Sequence, residues 1–150
     1  MAALQGQLKW REDRDALVAE QDGERVGRMV GDRIEVGGHT FTLEERGRRS
    51  VLVEADGDVV LRFDSGGARG RTLWLGVGRF RAYRRRGPLR SVSITRDYGA
   101  ETEVVRATTG PLGTVVEVKD AARLHPRDVA ALAAGATLLI VGERRGVAVA

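Results

Sequence analysis

Nine arginines and no acidic residue lie between residues 65 and 96, in a stretch reading SGGARGRTLWLGVGRFRAYRRRGPLRSVSITR. A guanidinium group presents a planar fork of donors that matches phosphate or carboxylate oxygens in pairs, so the chemistry open to this block is anion recognition. Arg79 and Arg81 alternate with Phe80 and Ala82 and lead into Arg84, Arg85 and Arg86, with Arg90 just beyond. On a strand this alternation sets Arg79, Arg81 and Arg85 on one side, placed to fork around a phosphate. Arg79, Arg81, Arg84, Arg85, Arg86 and Arg90 are therefore the candidate anion-binding residues. The flanking sequence does not share the bias: net charge is −4 over residues 1–64, +9 over 65–96 and −1 over 97–150, for a total of +4. The plain alternative is a solvated face, with 23 Arg against 2 Lys reflecting a GC-rich genome.

No residue set points to catalysis. With no cysteine in the chain, disulfides, thiolate metal sites, a cysteine nucleophile and acyl anchoring are all excluded. His39 falls in a strand pattern beside Phe41, and His125 precedes a helical segment, where capping is its ordinary role. Asp56 and Asp58 flank Gly57 in a hairpin turn, where Asp serves local hydrogen bonding. GVGRFR at 76–81 lacks the third glycine of a dinucleotide loop, and Ser50, Ser65, Ser91 and Ser93 have no nucleophile motif around them. The reading is that of a non-enzyme, with no cofactor and no metal.

The elements that must hold the arginines in place are strands. Leu8 and Trp10 alternate with Lys9 and Arg11, Ile34 and Val36 with Arg33 and Glu35, and His39, Phe41 and Leu43 with Thr40, Thr42 and Glu44. The same period of two runs through Val59-Leu61-Phe63, Leu73-Leu75-Val77, Val92-Ile94 and Val116-Val118. Asp22-Gly23, Gly37-Gly38, Asp56-Gly57 and Gly66-Gly67 punctuate these runs as tight hairpin signals, because such turns need positive φ. Ten to twelve short antiparallel strands follow, in a single domain over residues 1–150. So many hairpins with one apolar face suggest a barrel or sandwich.

After Asp120 the period changes. LHPRDVAALAAG has helix-start chemistry, with Pro126 at the first helical position and Asp128 in the first turn. From Val129 to Val141 the only non-apolar residues are Gly135 and Thr137, so a helix over about 126–142 has no polar face and must be surrounded. A run of thirteen residues is short of the ~20 that span a bilayer, so protein is the container. Burying Val129, Leu132, Leu138, Leu139, Ile140 and Val141 would contribute roughly 9 to 18 kcal/mol as an upper bound. The Thr137 hydroxyl can return its proton to the Ala133 carbonyl. A competing reading ends a short helix at a Gly135 cap and folds residues 136–150 into a terminal hairpin.

Many short antiparallel strands, the hairpin VLVEADGDVVLRF and a terminal all-apolar helix resemble the tubby carboxyl-terminal-like superfamily, which includes LURP-one-related proteins and phospholipid scramblases. The likeness spans about residues 10–145 and implies a closed twelve-stranded barrel threaded by a hydrophobic helix. It also implies recognition of phosphoinositide headgroups by basic side chains on the barrel, for which the arginine block is the comparable feature. The chain departs from the family in having no Lys in that block and no acylation cysteines. The expected function is a non-catalytic binding domain with an anionic membrane surface or phosphoinositide-like headgroup as partner. Nucleic-acid binding and a protein-interaction role are the alternatives, the former weakened by an aromatic content of only 5%. Because MAALQGQLKWREDRD meets acidic residues before any apolar segment, no secretory signal is read, and the expected address is cytoplasmic, peripheral at the membrane.

Overall fold

The computed structural model describes residues 4–64, 66, 70–96, 102–147 and 149. Ser65, Arg69, Tyr98 and the second residue of the Gly66-Gly67 signal lie outside the described residues. Twelve strands follow one another: β1 (Gly6–Asp13), β2 (Ala16–Gln21), β3 (Glu24–Val30), β4 (Arg33–Val36), β5 (His39–Arg46), β6 (Arg49–Val53), β7 (Val59–Phe63), β8 (Arg71–Leu75), β9 (Gly78–Arg85), β10 (Arg90–Arg96), β11 (Glu103–Gly110) and β12 (Gly113–Val118). Each pairs antiparallel with its sequence neighbours, and β1 pairs with β12 through Leu8↔Val116 to close the barrel. One helix, α1 (Pro126–Val141), and a short 3-10 turn, η1 (Glu143–Arg145), complete the described chain.

The tight turns do what their residues require. Asp22-Gly23 has φ of 52° and 81°, and Gly37-Gly38 has 58° and 82°, the left-handed pair that matches strand twist. Leu8, Trp10, Met29, Ile34, Phe41, Leu52, Leu61, Phe63, Leu73 and Ile94 fill the interior. Small residues face large ones across this wall. Trp10 pairs with Ala19 and Ala19 with Gly27, and a Cβ at Gly27 would meet the Trp10 ring at 3.2 Å and the Glu35 carbonyl at 2.8 Å.

Two strand readings need correction. Val77 is 95% exposed, because Gly76-Val77 is the two-residue turn between β8 and β9 and the inward alternation ends at Leu75. Val59 also faces out. The register slips between Leu52 and Val53, so Val60 is an extra residue opposite β6 and takes the inward place that plain alternation gives Val59.

The helix is enclosed on all sides by the barrel. Val129, Leu132, Leu138, Ile140 and Val141 are buried, as are the alanines from 130 to 136, and Thr137 Oγ1 donates to Ala133 O at 2.8 Å. Leu139 is the exception: it is only half-buried, so it does not belong with the fully enclosed residues. The helix runs unbroken through Gly135, which overturns the reading of a cap there followed by a hairpin. Gly135 has another purpose. A Cβ there would sit 2.8 Å from Leu61 Cδ2 and 3.4 Å from Phe63 Cζ, so the missing side chain lets the helix axis approach β7.

Candidate anion-binding rim

Arg79, Arg81 and Arg85 do share the outer wall of β9, as alternation requires, and Arg79 and Arg81 are exposed. At a rise of about 3.3 Å per residue, Arg79 and Arg85 lie about 20 Å apart along the strand, too far for one phosphate. The wall around them is also charge-compensated. Trp74, opposite Arg79, lies under the Arg62 guanidinium at 5.4 Å and donates Nε1–H to Asp64 Oδ2 at 2.8 Å. Arg85 Nη1 is 3.3 Å from Glu103 Oε2.

Glu103 is the centre of a cluster drawn from β9, β10, β11 and Lys119, the residue that follows β12. Its carboxylate accepts from Ser93 Oγ on β10 and from Arg106 Nε at 3.0 Å, and pairs with Lys119 Nζ at 2.8 Å. Ser93, Ser91 and Thr95 face outward as expected, yet they are buried, with Ser93 enclosed between its cross-strand neighbours Tyr83 and Arg106. Burial by itself would raise the Glu103 pKa, but hydrogen bonds from Lys119, Ser93 and Arg106 outweigh it and hold the carboxyl down at about 2. A depressed carboxyl pKa stabilises the fold above its ordinary value of 4.5, and that stability is lost as pH falls from there toward 2. Glu103→Gln is expected to cost about 2 kcal/mol at neutral pH, allowing for solvent screening of its partly exposed partners. In denaturant melts the deficit against the unaltered chain should shrink between pH 5 and about pH 3. An equal deficit at both pH values would show that the charge of Glu103 is not what matters.

The remaining candidates lie at one mouth of the barrel. Because every second hairpin of an up-and-down barrel returns to the same rim, residues 14–15, 31–32, 47–48, 86–89 and 111–112 line one end together, and α1 finishes there. Arg145 Nη2 donates to Asp15 O at 2.7 Å and fastens η1 to that rim. Arg84 and Arg90 lie opposite Val92 and Thr109, and Arg71 opposite Ala82, so all three occupy inward positions where the apolar filling ends. Burial, with the nearby Arg84 charge, lowers the Arg71 pKa. Arg90 Nη2 is 3.9 Å from Glu143 Oε2, and Arg86 is exposed in the β9–β10 loop. Arg14, Arg48 and Arg144, from outside the arginine block, are exposed on the same end.

The opposite rim has the other sign, with Asp22, Glu54, Asp56, Asp58 and Asp120 around the helix start. There Arg96 Nη2 donates to Ala122 O at 2.6 Å and its guanidinium lies 6.0 Å from the Phe80 ring, while Arg127 pairs with Glu54 at 3.4 Å. Arg96 thus belongs to the closure of this end and not to an anion site. His125 Nδ1 accepts from Arg127 N at 3.1 Å as the helix cap, and His39 stacks on Phe41. Asp56 Oδ1 accepts from the Asp58 N–H at 3.1 Å, the local role expected of it.

The arginine block is therefore divided. Arg84, Arg86 and Arg90 gather at the basic rim, Arg85 is held by Glu103, and Arg79 and Arg81 stay on the wall. Reading the block alone misses Arg14, Arg48 and Arg144. Following alternate hairpin turns to their common end would have placed Arg14 and Arg48 there, beside Asp15 and Asp32, since those turns must share an end in a meander. No family model, curated protein or solved structure matches the chain.

Proposed function

We propose that this chain is a non-catalytic binding domain, cytoplasmic and peripheral at the membrane, whose basic rim docks on anionic phospholipid headgroups. The observation that carries this reading is the segregation of charge along the barrel axis, with Arg14, Arg48, Arg84, Arg86, Arg90 and Arg144 at one end and mostly acidic loops at the other. Asp15, Asp32 and Glu143 offset part of this charge, and the net positive field that is left at one end orients the molecule toward an anionic plane. Kinship with the tubby-like superfamily is part of the proposal, supported by a closed twelve-strand barrel around a terminal helix.

The surface is built for docking and not for spanning. No helix among the described residues is long and apolar enough to cross a membrane. The strands are 4 to 8 residues long, short of the ~9 to 11 that cross a bilayer. Their outer wall carries Lys9, Arg11, Arg28, Glu35, Glu44 and Arg81 where a membrane barrel needs an apolar band. A nucleic-acid partner is less well served, because Phe80 is inside the barrel and Trp74 and Tyr83 are half-buried, leaving few faces for base stacking.

Flotation with phosphatidylcholine vesicles, with and without phosphatidylserine, tests the reading. At about 50 mM salt, where the Debye length exceeds 10 Å, the chain should float only with the anionic vesicles, and it should be released at high salt. The double variant Arg84→Glu/Arg86→Glu should lose roughly 30-fold or more in affinity, at about 1 kcal/mol for each basic side chain near the surface. Arg85 is unsuited to this test because its reversal would set two carboxylates together at Glu103. Failure of the unaltered chain to float with anionic vesicles at low salt would remove the proposal.

A further inference from the structure

The tripeptide Gly-Pro-Leu occurs twice, at 87–89 and at 110–112. Both copies fall in hairpin tips of the basic rim, the first between β9 and β10 and the second between β11 and β12. The sheet register sets them side by side: Arg90 pairs with Thr109, and a Cβ at Gly110 would lie 3.3 Å from Leu89 Cδ2. Leu89 thus lies across the glycine that opens the second tip. Leu112 is 102% exposed and Leu89 47% exposed.

A lone exposed leucine needs no explanation, but two on touching tips, with Arg84, Arg86 and Arg90 close by in the chain, present adjoining apolar points on a rim of net positive charge. Pro88 and Pro111 have no N–H, so each tip enters an apolar medium with one backbone donor fewer to satisfy. Arg84, Arg86 and Arg90 stand one to a few residues back, where their stems can follow the leucines while the guanidinium groups meet phosphates. A second copy of the chain is a poor occupant, because it would bring one arginine rim against another. Nucleic acid offers the arginines phosphates but the leucines nothing.

We propose that Leu89 and Leu112 form a wedge that enters the headgroup and upper acyl region of an anionic bilayer, with the surrounding arginines engaging lipid phosphates. This rests on the membrane-docking reading above and adds depth and orientation to it. The Leu89→Ser/Leu112→Ser variant should bind phosphatidylserine vesicles about tenfold more weakly, by the loss of buried apolar surface, with its melting temperature unchanged. Since the chain has no cysteine, Leu112→Cys provides a single attachment point for an environment-sensitive NBD dye. NBD emission should rise on those vesicles and be quenched by a lipid with a nitroxide on its upper acyl chain. The same dye at Val77→Cys, on the opposite rim, should not respond.

If the unaltered chain floats with anionic vesicles but the dye at Leu112→Cys is not quenched and the double serine variant binds equally well, docking is electrostatic only and the wedge is overturned while the rim reading stands. If the unaltered chain does not float at all, both fall. If sedimentation shows a dimer that the double serine variant disrupts in the absence of lipid, the tips are a contact between copies and the wedge is overturned.

Discussion

Leu132→Asp is expected to leave no folded, soluble protein. Leu132 is fully buried on α1 inside the barrel, and its helix neighbours are Val129, Ala131, Ala133, Gly135, Ala136 and, one turn back, Asp128, whose charge is of the same sign and offers no compensation. The leucine itself contributes about 2 to 5 kcal/mol at such a site. A carboxyl group left there without a partner costs several kcal/mol more even after it takes up a proton. The sum matches or exceeds the ~5 to 15 kcal/mol that holds a domain together. Soluble yield and the far-ultraviolet circular dichroism of whatever remains soluble are the measurements. Leu139→Asp is the contrasting variant: Leu139 is half-buried, so its carboxylate can reach water and the protein should fold with a lowered melting temperature. A Leu132→Asp chain with native dichroism and melting would mean that the helix is not enclosed.

Gly135→Leu is the second large effect, and it acts by volume instead of charge. Glycine in mid-helix is about 1 kcal/mol less favourable than alanine, so its presence between Ala134 and Ala136 has a packing cause. The first added carbon would already meet Leu61 Cδ2 at 2.8 Å, with Phe63 ring atoms at 3.4 and 3.5 Å behind it. Leu61 Cδ2 is the end of a flexible side chain and can move, so Gly135→Ala should be close to neutral, its helix gain offset by that shift. Leucine cannot be accommodated by one methyl moving. It would push β7 outward or displace the helix along a closed wall, with an expected loss of about 3 kcal/mol or more. Thermal melts of the two variants check this, and near-equal midpoints would mean that the space beside Gly135 is open.

Local chemistry made much of this fold readable. The turn pairs Asp22-Gly23 and Gly37-Gly38 could only be hairpins, the period of two in LKWR and RIEV assigned each side chain to a face, and the residues from Val129 to Val141 could not be a helix in contact with water. These are properties of neighbouring residues, which one stretch of chain decides by itself. The twelve strands, the enclosed helix and the Thr137 back-bond to Ala133 all follow that expectation. The reading of β7 failed at Val59 because a bulge is a property of two strands. One strand alone does not reveal that Val60 is surplus to the partner.

The candidate site divides along the same line. A concentration of arginine in residues 65–96 is visible in the sequence, but the sequence does not say which arginines are compensated. Arg85 meets Glu103 and Arg90 meets Glu143, 18 and 53 positions away, only because strands β9 to β11 are adjacent and the helix returns to the same rim. Arg14 joins Arg86 for the same reason. What the sequence determined was local: which residues turn, which face inward, and that the last apolar segment had to be enclosed. The tertiary structure alone decided how the charges sum, because closing β1 onto β12 brings alternate turns to a common end and converts charges scattered along the chain into one basic rim and one acidic rim.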